Sequence, residues 1–150
     1  MRKASRHLLA TIAYRFQKSI HDAPTDFDSF QAGNGVRTPN EIVNHMSSVL
    51  YFAKNVLIEN AERKKPEILS WGKEIERFHA LLQDLDDLFV RMELTTLTYN
   101  RLIQGPLTDV LTHIGQIAML RRLQGTPIKG ENFSIADIQT GKVGRQINNE

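Results

Sequence analysis

Apolar residues recur at three- and four-residue spacing through four stretches of the chain, the period of an amphipathic helix. In residues 4–21, Leu8, Leu9, Ile12, Phe16 and Ile20 fall on one face, and His7 and His21 on the opposite one. From Thr38 to about residue 60 the stripe is Ile42, Met46, Val49, Ala53, Val56 and Leu57. Residues 68–93 carry Trp71, Ile75, Phe78, Leu82, Leu85, Phe89 and Met92, and residues 106–124 carry Leu107, Val110, Leu111, Ile114, Ile117 and Ala118. No one of these helices can bury its stripe alone. Together they predict an all-α fold, a single four-helix bundle over about residues 4–125, antiparallel or nearly so.

The polar punctuation places the boundaries. Thr38 as N-cap, Pro39 at the first helical position and Glu41 three residues after the cap form a capping box, the sharpest start signal in the chain. Residues 22–37 hold Pro24, Asp22, Asp26, Asp28, Gly33 and Gly35, which forbids a regular helix and predicts a long first connection across one end of the fold. The cluster Ala61-Glu62-Arg63-Lys64-Lys65-Pro66 reads as an exposed helix end and link. The threonine-rich residues 94–104 are open between a helical extension and a loop, and Gly125 caps the last helix. Beyond it come Pro127, Gly130, Gly141 and Gly144, with only residues 134–138 able to make a short turn. Val143 and Ile147 are the sole sizeable apolar residues after Ile138, so residues 126–150 read as an irregular tail rather than a strand or a second domain.

Composition narrows the function. A chain of 150 residues, 41% hydrophobic, suits one core. Nineteen Lys and Arg against seventeen Asp and Glu leave a net charge of +2, not the composition of a nucleic-acid-binding protein. The absence of cysteine removes disulfides, thiolate metal sites and a cysteine nucleophile. No window approaches the roughly 18 consecutive apolar residues of a membrane span. The basic start resembles a signal sequence, but Arg15 and Lys18 interrupt its apolar run, so a cytoplasmic address is expected.

Bundles build sites from polar side chains that interrupt the apolar stripes of facing helices. At about 100° per residue, His45 lies about 80° from the centre of its helix's buried face, beside Phe52 and Val56, and should be half-buried. His113 lies about 90° from the centre of its own stripe, with Asp109 one turn earlier and about 40° round, pointing the same way. Two imidazoles and a carboxylate are a three-ligand set for a divalent ion with open positions. Spacing alone favours the plainer reading of hydrogen-bonded interior histidines, with Asp109 serving the helix dipole. Glu41 is explained by its capping box, and Gln116 is either a substrate contact or solvated. His79 reads as a surface or packing residue. Tyr14 and Tyr51 face mostly away from the core, and Arg121-Arg122 complement the negative end of the last helix. Neither a nucleophile elbow nor a phosphate loop is present.

Two runs carry a resemblance. Arg37-Thr38-Pro39-Asn40-Glu41-Ile42-Val43-Asn44-His45-Met46 and Gly105-Pro106-Leu107-Thr108-Asp109-Val110-Leu111-Thr112-His113-Ile114-Gly115-Gln116, the latter continued by Met119-Leu120-Arg121-Arg122-Leu123, resemble the DinB/YfiT-like superfamily. So do Gly125-Thr126-Pro127-Ile128 and Glu131-Asn132-Phe133. The resemblance covers about residues 38–138, and its specific part is the run in the last helix. It implies a four-helix bundle that dimerises and holds nickel or zinc through histidines of the second and fourth helices. The family pattern of one histidine, then His-x-x-x-His, maps to His45, Asp109 and His113. The middle position departs from it, and the harder donor set admits iron or manganese. With the resemblance the balance shifts to a metal site of His45, Asp109 and His113. The activity it implies is transfer of a low-molecular-weight thiol to an electrophile, or a related isomerisation or hydrolysis of a small molecule. The alternative is a non-catalytic, stress-associated binding or dimerisation module with a structural metal or none.

Overall fold

In a computed structural model, which describes residues 1–60, 62 and 65–145, the chain is all-helical among those residues. Ala61, Arg63 and Lys64 of the charged cluster, and Ile147 of the tail, lie outside them. The long helices are α1 (Arg2–Ile20), α2 (Pro39–Leu57) and α3 (Trp71–Arg91). A short helix α4 (Thr96–Leu102) runs through one wide turn (Ile103–Leu107) into α5 (Thr108–Leu123). Residues 94–104 are therefore mostly helical. Gly105 leaves helical geometry (φ −107°, ψ −105°) and Pro106 has no N–H to bond backwards, so the two together kink the last helix. No helix among the described residues is long and apolar enough to cross a membrane.

The capping box at α2 is formed as expected: Thr38 Oγ1 accepts from the Glu41 N–H, and Glu41 Oε2 accepts from the Thr38 N–H at 2.8 Å. The predicted stripes make the core, with Leu9, Ile12, Phe16, Ile42, Met46, Phe78, Leu82, Leu85, Phe89, Val110 and Ile117 all buried. Val56 departs from its assigned stripe and is 53% exposed, while Leu50 takes the buried position one helical row away. The third helix begins at Trp71 rather than residue 68, because Ile68 is exposed on the incoming connection.

The helix directions differ from a simple antiparallel bundle. Arg6 meets Asp86 and Phe16 meets Phe78, so α1 and α3 run in opposite directions. Asn44 bonds Glu74 and, ten residues further along each helix, Lys54 bonds Asp84, so α2 and α3 run parallel. The bundle is up-down-down-up. Such an order requires the chain to return along the length of α2, about 28 Å for its 19 residues. Residues 65–70 and Glu62, the described part of this return, lie against α2. Three asparagines of α2 hold this strap by its carbonyls: Asn55 donates to Glu62, Asn44 to Pro66 and Glu67, and Asn40 to Leu69. The fully buried Glu74 carboxylate accepts from Asn44, from the Leu69 N–H and from Arg77.

The first connection covers one end of the bundle, as its breakers suggested. Its Phe27 is fully buried, edge-on to Trp71. The tail is irregular but packed. Tyr14 and Lys18 of α1 hold Glu131, Gln17 donates to the Gly144 carbonyl, and Val143 is fully buried.

Candidate metal centre

Helices α2 and α5 are neighbours and run in opposite directions: His45 lies opposite His113, and Phe52, two turns further along α2, shares a groove with Gly105 and Pro106 at the kink before α5. Each presents the flank of its apolar stripe at that seam. From α2 comes His45, half-buried as its helical phase predicts; from α5 come Asp109 and His113, one turn apart on one side. The two imidazole rings stand perpendicular (88°) with centroids 4.7 Å apart. Asp109 Oδ2 lies 3.6 Å from His113 Nε2. Each of the three residues offers a ligand atom within 4.8 Å of the other two.

The donor chemistry fits a divalent cation. Tetrahedral nitrogen and oxygen ligands at about 2.0–2.2 Å from a common ion stand about 3.4 Å from one another, so closing the set from within 4.8 Å needs side-chain movements of about an ångström. Asp109 has the freedom to supply them: its side chain is 47% exposed, against 10% for His113. Gln116, one turn after His113, settles which nitrogen is offered. Its Oε1 accepts from the His113 Nδ1–H at 2.9 Å, so the lone pair lies on Nε2, the atom facing Asp109. His45 is held below the ordinary histidine range, chiefly by burial and then by the positive charge of Arg37 and the neighbouring His113, while Asp109 pulls the other way. A neutral imidazole is the form that ligates.

The His45 ring also lines a cleft of about 620 Å³ between α2 and the returning strap, whose walls include Arg37, Tyr51, Phe52, Val56, Lys65 and Ile68. Sequence reasoning missed this feature, because nothing local says that Glu62 and residues 65–70 lie alongside α2. The one available signal was the set of asparagines at 40, 44 and 55, amides on a helix flank in search of carbonyl partners.

The remaining candidates lie elsewhere. Glu41 is occupied by its cap. His7 and His21 are on the exposed face of α1, and Tyr14 is tied to the tail. His79 is a packing residue, buried between Phe16 and Phe78 with its Nδ1–H on the Val143 carbonyl. Arg121 does serve a helix terminus, but that of α1: it is buried and donates to the carbonyls of Ser19 and His21.

Searches against known protein families, curated proteins and solved structures find no match to this chain.

Proposed function

We propose that this chain is a divalent-metal-binding protein of the DinB/YfiT-like kind, acting on a small molecule as a metal-dependent thiol S-transferase or hydrolase. The observation that supports this best is the convergence of His45, Asp109 and His113 from two separate helices, beside a cleft large enough for a small substrate. A bound divalent ion supplies a lowered pKa for water or a thiol, and hence a nucleophile at neutral pH. The protein's own residues prepare the place. Gln116 fixes the ring of His113, partial burial keeps His45 neutral, and the exposed Asp109 supplies negative charge on the solvent side. The chain has no cysteine, so in the transferase reading the attacking sulfur belongs to the cosubstrate. The resemblance points to nickel or zinc, to a homodimer and to the cytoplasm, while the Asp109 oxygen admits iron or manganese.

The test is metal analysis of untagged protein purified without chelator, for the wild type and for His45→Ala and His113→Ala. The expected result is an ion near one per chain in the wild type, lost in both variants while helicity is retained. A wild type without metal overturns this reading and leaves the non-catalytic binding or dimerisation module. Conjugation assays with glutathione and bacillithiol on metal-loaded protein then separate transferase from hydrolase.

A further inference from the structure

The cleft beside His45 has a polarity along its length. Asn44 and Asn55, which pin the strap at two points, are eleven residues apart, about 16 Å along the helix. At the Asn44 end stand Arg37, just before the cap of α2, and Lys65, next to the Pro66 that Asn44 holds. Neither cation makes an ion pair or a side-chain hydrogen bond among the described residues. The cleft also holds two carboxylates. Glu41 is committed to the backbone N–H of Thr38, and Glu62 belongs to the far end, its carbonyl held by Asn55. The positive charge of Arg37 and Lys65 is felt at the His45 ring, where the carboxylate that opposes it is Asp109 of the neighbouring helix rather than Glu41 or Glu62 of the cleft. Apolar surface lies open on the same walls: Val56 and Ile68 are each about half exposed although they line a concavity. An apolar cleft with unpaired cations gathered at one end is complementary to a ligand with one anionic end.

We propose that this cleft binds an amphipathic acid, a small molecule whose anionic head sits between Arg37 and Lys65 beside His45 and whose apolar body lies against Ile68 and Val56. The inference names a substrate class for the proposed metal centre. It rests on that reading for the chemistry and not for the binding. The anionic end is the one delivered to His45, so the bond to be changed lies next to the head group rather than at the far end of the apolar body.

Octanoate is a suitable probe, with 1-octanol and octylammonium as matched controls. Each is titrated by calorimetry into the full chain with and without chelator, for the wild type, Arg37→Gln, Lys65→Gln and the double variant. The expected result is binding of octanoate at least tenfold tighter than either control, retained with chelator and reduced about tenfold or more in the double variant. Arg37 and Lys65 are exposed, so their replacement leaves the fold intact, which circular dichroism checks. Equal binding of octanol, preference for octylammonium, octanoate binding that vanishes with chelator, or indifference to both substitutions each overturns the proposal. Metal content measured on the same samples keeps the two readings apart: a chain without metal that still selects octanoate sinks only the metal centre, and a metal-bound chain that does not select octanoate sinks only this inference.

Discussion

His113 donates its Nδ1–H to the carboxamide oxygen of Gln116, 2.9 Å away and one turn further along α5. The bond fixes both the ring's rotation and its tautomer, so Nε2 is offered to the seam with α2 without a choice left to make. Outer contacts of this kind are typically worth about 10–100-fold in metal affinity. Gln116→Leu is expected to weaken binding by that factor, measured by competition with a chromophoric chelator. Gln116→Glu, which keeps an acceptor at the same reach, restores most of it. A residue that only filled space would show no such difference between the two replacements.

Asp109 sets the hardness of the donor set. Its side chain is nearly half exposed, so a larger replacement meets solvent rather than packed core. Asp109→His places a third imidazole at the seam and is expected to raise affinity for zinc and nickel relative to manganese by tenfold or more. Asp109→Ala weakens all of them. Parallel titrations with the three metals read the ratio, and an unchanged ratio in Asp109→His excludes Asp109 from the ligand set.

How much of this was legible beforehand depended on the range of the interactions involved. The capping box, the apolar stripes and the phase of His45, Asp109 and His113 are local, and each emerges where helical geometry puts it. Whether two flanks face each other is a matter of topology. The expectation of antiparallel neighbours misread α2 and α3, because the connection between them carries no apolar pattern to show that Glu62 and residues 65–70 lie back along α2. The return is specified instead by Asn40, Asn44, Asn55 and the buried Glu74, polar residues that satisfy the strap's backbone from outside it. Val56 was misplaced for the same reason. It sits at the edge of its stripe, and what decides its exposure is the cleft left between helix and strap.

Arg121 illustrates a second kind of long-range role. Only 4% exposed, it donates to the carbonyls of Ser19 and His21 at the end of α1 and to Thr126 just past its own helix. Those carbonyls have no helical partner, so the guanidinium acts as the C-terminal cap of a neighbouring helix. Arg121→Met keeps much of the volume but strands several buried acceptors, and about 2–4 kcal/mol of stability should be lost. Arg121→Lys, with one ammonium in place of a fork, reaches fewer of them and should lose less than Arg121→Met. Urea unfolding at neutral pH measures both, and a midpoint for Arg121→Met equal to the wild type's removes the capping role.

His79 links the bundle to its tail and makes stability depend on pH. Burial depresses its proton affinity, and the carbonyl of Val143, accepting from Nδ1–H, opposes that by a smaller amount. Its other nitrogen, Nε2, is buried without a hydrogen-bond partner among the described residues, so the added proton of an imidazolium has no acceptor there to point at. The folded pKa is thus below the unfolded value near 6.5, and below about pH 6.5 the unfolded chain takes up more protons than the folded one. The His79 contribution is complete above that pH and is lost as pH falls toward the folded pKa, with a slope of up to about 1.4 kcal/mol per pH unit. His79→Gln retains an N–H for Val143 but cannot titrate, so the difference between its unfolding free energy and that of the wild type should be flat above pH 7 and change steadily below 6.5. His45 is shifted in the same direction and remains in both proteins, so taking the difference cancels it. A difference curve that stays flat down to pH 5 shows that acid acts elsewhere and that the tail is not held through this ring.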